Sequence, residues 1–332
     1  MHLRFFVLFC LWICGVYGYE TDFDCVVVGT SPICMCEAIY KAKMGDRVLV
    51  VEKAAECGGA WKSISICGVP HVDLGCHEFG GNKQVEQFLE EYLGCKMIRN
   101  APQHQGKGVA RADWGAYPQN GCYELARNLE YLMQRSGVVL MLNSKLESVY
   151  IDKARKIAEM KINGSRYSTR KIVVTSYSGI QIENIPNAPA PRMSKFPHLY
   201  LLIEDPGPTR FTYHQPSISG VTRVMNVTQF SNLEGTGMQI ISLQVRDEKA
   251  LNQGEKCFEE LKRLDLIAKS ARLVRVESYV YEQSNFDRTL ITKAGPEAVP
   301  IFEQLDTNHI SNIGKYVDKW KKVMLPWKSL AP

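Results

Sequence analysis

An α/β fold is predicted by this sequence, with one domain on a parallel sheet and a smaller one on an antiparallel sheet. Three observations predict it. Residues 24–53, DCVVVGTSPICMCEAIYKAKMGDRVLVVEK, read as strand, tight turn, helix and strand. Further buried-strand runs follow at VVLMLN (138–143) and at Lys171–Thr175. From Leu199 to Val245, four segments of alternating polarity are separated by glycine and proline.

The first unit carries the most information. Cys25–Val28 is short, apolar and β-branched, as expected of a strand buried on both faces. Gly29 ends it. Ile33, Cys36, Ile39 and Tyr40 then recur at helical spacing, and Gly45 stands where a helix C-cap glycine belongs. Arg47–Val51 is a second buried strand, closed by Glu52. A parallel βαβ unit with an acid at the end of strand two is the Rossmann-like dinucleotide-binding arrangement. The turn and the helix N-terminus would hold a pyrophosphate through backbone N–H groups. Glu52 would accept a ribose hydroxyl. The pattern G-x-G-x-x-G falls on Gly29, Ser31 and Cys34, so one of its three glycines is present. Ser31 is small and brings a hydroxyl donor, whereas Cys34 is larger than glycine at the helix–strand contact. Pro32 suits the first helical turn, where its missing N–H costs nothing. A purely structural βαβ unit is the competing reading.

The chain of 332 residues is long enough for one large or two modest domains, and its 45% hydrophobic content supports a real core. The net charge of +5 is scattered, with no basic block interleaved with aromatics, so nucleic acid is not an expected partner. Residues 1–18 read as a signal peptide: Arg4, the apolar stretch Phe5–Tyr17, then Val16 and Gly18 ahead of a cut before Tyr19. The stretch is short for a membrane span. No other run of that character follows, so the expectation is a secreted or luminal protein with no transmembrane span after cleavage. Of 11 cysteines, Cys10 and Cys14 leave with the signal. Cys25, Cys34 and Cys36 look like core residues, while Cys57, Cys67, Cys76 and Cys95 crowd one region and could pair. No cysteine or histidine spacing resembles a zinc site. Asn163-Gly-Ser and Asn226-Val-Thr are glycosylation sequons.

After Glu52 and Lys53 comes AAECGGAWKSISICGVPHVDLGCHEFGG. Gly58-Gly59 forces irregular backbone that can lie against a ligand. Residues 72–77 alternate like a short strand. Val85–Leu93 reads as an amphipathic helix, residues 100–116 as a loop, and Tyr123–Ser136 as a helix. Two or three antiparallel strands with an Asn163-Gly164 turn lead to the strand Lys171–Thr175. Residues 179–197, with Pro186, Pro189, Pro191 and Pro197, read as a linker. Glu255–Leu266 reads as a helix, Arg272–Tyr281 as a strand and Ile301–Leu305 as another. Asp306–Asn308 are good N-caps for a last helix.

DCVVVGTSP, RVLVVEKAAECGGAW and HVDLGCHEF together resemble the N-terminal part of FAD-dependent oxidoreductases of the flavin amine oxidase and protoporphyrinogen oxidase kind, and of the related UDP-galactopyranose mutases. The likeness covers roughly residues 24–178. It implies an FAD/NAD(P)-binding Rossmann-like domain with an antiparallel-sheet substrate domain, and FAD as cofactor. It implies Gly29, Ser31 and Pro32 at the pyrophosphate turn, and Glu52 with Lys53 at the ribose. Gly58, Gly59, Ala60 and Trp61 would lie beside the pyrophosphate and ribityl chain, Gly75 and His77 near the isoalloxazine, and Leu146 against adenine. The departures are Ser31 and Cys34 for glycine, and Ala60-Trp61 where many members carry arginine or asparagine. The expected limits are residues 1–18 for the signal, 19–185 and 285–332 for the cofactor domain, and 186–284 for the substrate domain.

No nucleophile elbow, metal-binding histidine pair or Walker loop is present. His77 stands as a flavin-edge or substrate contact, or as a satisfied semi-buried histidine. Arg210, Tyr213 and His214 could face the cavity or form a surface strand. Three functions fit the residues. The first is an FAD-dependent oxidoreductase acting on a small molecule. The second is a mutase-like flavoenzyme acting on a sugar nucleotide. The third is a catalytically silent secreted binding protein that keeps the fold.

Overall fold

The computed structural model describes residues 21–74, 83–99, 109–111, 116–175, 180–184, 193–207, 214–216, 218–231, 233, 235–284, 300–305 and 310–329. The predicted βαβ unit is β1 (Phe23–Val28), α1 (Pro32–Lys43) and β2 (Val48–Val51). β1 and β2 run parallel, Cys25–Val28 against Val48–Val51. Every β2 side chain is buried, which is why the run is continuously apolar.

A hairpin follows, β3 (Ser63–Ile66) with β4 (Val69–Asp73), then α2 (Lys83–Glu91). β5 (Met97–Arg99) pairs with β7 (Ala116–Pro118), and β6 (Val109–Arg111) lies between them in sequence. α3 (Gly121–Arg135) leads to β8 (Val139–Met141), parallel to β2. β9 (Leu146–Asp152), β10 (Ile157–Ile162) and β11 (Ser165–Val174) form the expected meander, turning at Asn163-Gly164. The second half of β11 is parallel to β1, and β12 (Gln181–Ile182) is parallel to β9.

The second sheet is antiparallel. It contains β13 (Met193–Glu204), β14 (His214–Pro216), β15 (Val221–Asn226), β16 (Met238–Val245) and, after α4 (Gly254–Arg263), β17 (Arg272–Ser284). The order is β17-β13-β16-β15-β14-β6. β18 (Phe302–Gln304) then returns to the first sheet, parallel to β11 and beyond the end of β10. α5 (Tyr316–Lys321) closes on α1. Glu37, buried in α1, accepts hydrogen bonds from Tyr316 Oη at 2.9 Å and Lys319 Nζ at 3.2 Å.

Alternation on β13 divides the cores. Leu199, Leu201 and Ile203 pack with Phe258 and Leu261 of α4. Tyr200 and Leu202, on the other face, join the core of α1 and α3. β13 is thereby the shared wall between the two sheets' hydrophobic interiors.

Several local expectations change. The stretch expected as a loop at 100–116 contains β6, whose pairing partner lies about a hundred residues away in β14. The strand expected at 72–77 is β4, which starts earlier and pairs with the unforeseen β3. Pro197 belongs to β13, not to a linker. It faces Val280 at a position where pairing with β16 has not begun, so its missing N–H removes no ladder bond there. The last helix opens as a 3₁₀ turn over Ile310–Lys315. The signal segment, residues 186–191 and Asp306–Asn308 lie outside the described residues. Cys57, Cys67 and Cys95 carry free thiols, so these three do not pair with one another, and Cys76 lies outside the described residues. Among the described residues, no helix is long and apolar enough to cross a membrane.

Candidate functional site

At the C-terminal ends of β1 and β2 the backbone turns sharply. Gly29 has φ +95°, and a Cβ there would meet nothing within 4 Å; conformation, not space, requires glycine. Its N–H donates to the Val51 carbonyl at 2.8 Å. Ser31, where the motif asks for glycine, has φ −58° and ψ 151°, ordinary values for an L residue. Its Oγ caps α1 by accepting the Cys34 N–H at 3.4 Å. Pro32 is the first helical residue, as expected. Cys34 is fully buried, with Sγ 3.8 Å from the Val28 carbonyl. Burial pushes its thiol up to about 11, so it stays a neutral packing group. Both lost glycines are therefore replaced without backbone strain. Among the described residues, the N–H groups of Ser31 and Ile33 have no acceptor. They sit at the positive end of α1.

Glu52 differs from the open-edge carboxylate that a ribose acceptor suggests. It is 6% exposed. Oε2 accepts the Thr30 N–H at 2.9 Å and the Thr30 hydroxyl at 2.7 Å, and Oε1 accepts the Ala54 N–H at 2.8 Å. A carboxylate has about four acceptor directions. Three are used among the described residues, and one on Oε1 is not. Thr30 Oγ1 in turn accepts the Gly58 N–H at 3.2 Å. One threonine thus ties the turn, the acid and the glycine loop together. No sequence signal singled it out, because the middle residue of the Gly-x-Ser turn is unconstrained by the motif.

Gly58 and Gly59 are needed twice over. Their φ values are +118° and +58°; an added Cβ would stand 3.1 Å from Lys62 Cα at Gly58 and 3.3 Å from the Ser31 nitrogen at Gly59. The loop rests directly on the turn. Ala60 and Trp61 are half-buried in the 3₁₀ turn that follows, and Lys53 is exposed. The β8–β9 connection is strapped alongside by Glu52 N–H to Met141, Ser144 N–H to Glu52 and Asn143 N–H to Ala54 bonds of 2.8–2.9 Å. Leu146 follows it, its side chain buried with Val28, Val51 and Met141. Gly29, Ser31, Pro32, Glu52, Gly58, Gly59, Ala60 and Trp61 thus surround one turn, with Leu146 behind it.

Asp73 at the end of β4 is the second unforeseen centre. It is wholly buried. It accepts from Ser63 Oγ at 2.7 Å, Tyr117 Oη at 2.6 Å and the Cys122 N–H at 2.9 Å, while Tyr200 Oη reaches its carbonyl at 3.2 Å. Burial raises its pKa, opposed by those donors. A Cβ on Gly121 would lie 2.7 Å from Asp73 Oδ1, so that glycine makes the approach of α3 possible. The available signal was an acid between Val72 and Leu74 in an apolar strand. Asp73 joins β4, α3 and β13 just before Gly75 and His77, which lie outside the described residues. So do His104, Arg210 and Tyr213. The backbone of His214 is in β14, opposite Val224.

No protein-family model matches the chain, and no curated protein does. Solved structures do. Reduced UDP-galactopyranose mutase matches with a TM-score of 0.60 at 12% identity, over 85% of this chain and 88% of that one. A protein from Exiguobacterium sp. 255-15, provisionally named a protoporphyrinogen oxidase, matches with a TM-score of 0.57 at 11% identity, over 91% and 98%. An oxidoreductase from Methanosarcina mazei matches with a TM-score of 0.55 at 12% identity, over 77% and 87%. At these identities the likeness defines the fold. The chain has the α/β fold of FAD-binding oxidoreductases, a Rossmann-like domain with a parallel-rich sheet beside an antiparallel sheet.

Proposed function

We propose that this protein binds FAD and acts as an oxidoreductase of amine-oxidase-like type on a small molecule, in the secretory pathway or outside the cell. The observation that carries the reading is the turn itself. Two N–H groups without an acceptor among the described residues, on Ser31 and Ile33, stand at a helix N-terminus under a side-chain-free Gly58-Gly59 loop. Glu52 Oε1 accepts one hydrogen bond among the described residues, leaving an acceptor direction for a ligand hydroxyl. These residues fit a dinucleotide: Ser31 and Ile33 would bind the pyrophosphate, Glu52 a ribose hydroxyl, and the backbone near Leu146 the adenine. When bound, FAD would supply hydride acceptance, and the protein would orient and enclose it. The unstrained replacements at Ser31 and Cys34 weigh against reading the altered fingerprint as loss of cofactor binding. The secretory location is supported by Arg4 and the apolar Phe5–Tyr17.

A mutase-like flavoenzyme is the second reading, favoured by the fold shared with UDP-galactopyranose mutase. It needs arginines converging on a diphosphate; Arg223 is exposed on β15. The test is the visible absorption spectrum of the purified full chain, with FAD titrated into any colourless material. Flavin bands retained after gel filtration are expected. A folded protein that takes up no FAD sinks the proposal and leaves the silent binding protein. Bleaching of the bound flavin by a primary or secondary amine without added reductant separates the oxidoreductase from the mutase.

A further inference from the structure

The Asn163-Gly164 turn closes β10 on β11, and Asn163 has φ +46° there. Tight hairpins favour asparagine and glycine for their backbone alone. The Asn163 side chain reaches out of its own hairpin, to the connection between β8 and β9. Its Oδ1 accepts the Lys145 N–H at 3.0 Å. Its Nδ2 donates to the Asn143 carbonyl at 3.3 Å and to Ser144 Oγ at 3.2 Å. An amide nitrogen has two hydrogens, and both are engaged. The Asn163 N–H adds a bond of 3.4 Å to the Lys145 carbonyl. One side chain thus touches each of residues 143–145.

The connection it holds borders the candidate site. Asn143 has φ +50°, an uncommon backbone for an L residue. Its N–H donates to the Ala54 carbonyl at 2.9 Å, and the Ser144 N–H donates to the Glu52 carbonyl at 2.8 Å. Ser144 is buried, with its hydroxyl donating to the Leu142 carbonyl at 2.9 Å. Leu146 opens β9 directly after Lys145 and stands opposite Ile162. Hydrogen bonds therefore run from Asn163 to residues 143–145, and from there to the backbone on either side of Lys53.

We infer that Asn163 is a positioning residue of the cofactor site: its amide fixes residues 143–145, and these set where the end of β2 and the start of β9 stand for the adenosine half of the ligand. The role toward adenosine rests on the proposed function. An acid in place of the amide undoes the arrangement. In Asn163→Asp, Oδ1 can still accept from Lys145. The second oxygen faces the Asn143 carbonyl, which only accepts, and a Ser144 hydroxyl whose hydrogen is already on Leu142. Asn163→Gly keeps the turn, because glycine adopts positive φ freely, and deletes all three side-chain bonds.

The test uses the full chain, made without N-glycosylation, and FAD as the probe. In both Asn163 variants, hydrogen–deuterium exchange of the apo protein should be about tenfold faster across residues 143–145, and FAD affinity about tenfold lower. Asn184→Asp is the control for a merely structural loss. Asn184 holds Ile151, near the other end of β9, by accepting its N–H at 3.2 Å and donating to its carbonyl at 2.8 Å. That variant should lower Tm as Asn163→Asp does, while FAD affinity stays within about twofold of wild type. If Asn163→Asp does not fold, Asn163→Gly carries the same readings. Unchanged exchange across 143–145, faster exchange with wild-type FAD affinity, or an equal loss of FAD in Asn184→Asp overturns the inference. Flavin retained by wild type, with unchanged exchange in the variants, defeats this inference alone. Faster exchange in the variants, when wild type itself takes up no FAD, defeats the proposed function alone.

Discussion

Replacing Glu52 by alanine should harm the protein twice, and Thr30→Val separates the two harms. Two backbone donors, Thr30 N–H and Ala54 N–H, end on the Glu52 carboxylate in a site 6% exposed. Each donor stranded by Glu52→Ala costs about 1–3 kcal/mol, giving roughly 2–6 kcal/mol in all. At about 2.1 cal/mol/K per residue, a 332-residue chain has an unfolding entropy near 0.7 kcal/mol/K, so the apo Tm should fall by about 3–9 °C. If the remaining acceptor direction holds a ribose hydroxyl, FAD affinity should also fall, by about one to two powers of ten. Thr30→Val keeps the backbone donor and the side-chain shape. It deletes the hydroxyl that donates to Oε2 at 2.7 Å, and leaves Oε1 and its Ala54 bond untouched. Its expected cost is about 1.5–3 kcal/mol in stability, with FAD affinity within about threefold of wild type. Differential scanning fluorimetry on apo protein and flavin fluorescence titration supply both axes. Two results would refute the reasoning: an apo Glu52→Ala protein that melts like wild type, or a Thr30→Val protein that loses FAD as severely as Glu52→Ala.

His198 should make stability fall with acid. Its folded pKa of about 4 lies below the ordinary 6.5, so between those values the unfolded chain holds a proton that the folded chain does not. Stability then drops by up to about 1.4 kcal/mol per pH unit as pH falls through that window. Urea midpoints across it should be steeper for wild type than for His198→Phe, and equal slopes would contradict the burial. Glu37→Ala should cost about 1–3 kcal/mol, chiefly by stranding the Tyr316 hydroxyl, since Lys319 is 42% exposed and can turn to water. Adding Tyr316→Phe should recover part of that loss in urea melts; a strictly additive double variant would disprove the coupling. In a eukaryotic secretory host, glycosidase sensitivity should depend on Asn163 and not on Asn226. Asn163 is exposed at a turn, whereas Asn226 is wholly buried, with Oδ1 accepting from the Thr228 N–H and hydroxyl. A glycan found on Asn226 of folded protein would contradict its placement in β15.

The large sheet was legible because its strands are buried on both faces and their sequences are unbroken apolar runs. Cys25–Val28, Val48–Val51 and the second half of β11 announce themselves in this way. β3, β5, β6 and β7 did not. They are three or four residues long, and a short edge strand is stabilised by its partner more than by its own pattern. At the candidate site, residue types pointed to Gly29, Ser31, Glu52, Gly58 and Gly59. The hydrogen bonds that decide how Glu52 behaves were not visible, because Thr30 is distant from it in sequence and ordinary in type. Asp73 was noticed as part of a strand and not as a hub, since its donors come from Ser63, Tyr117 and Cys122, brought together only by tertiary folding.

The return of β18 and α5 to the first sheet has a consequence for how the chain is made. Glu37 and its partner Tyr316 are 279 residues apart. A ribosome adding roughly 5–20 residues per second needs about 15–55 s to deliver the second after the first. Throughout that interval the nascent first sheet and its helices have a buried-to-be carboxylate without its tyrosine, and the edge of β11 at Ile172–Val174 lacks Phe302–Gln304. An open edge strand of this kind is a template for pairing with other chains. A sheet whose first strands are made early is thus completed late, and its β11 edge stays open to such pairing until Phe302–Gln304 are made.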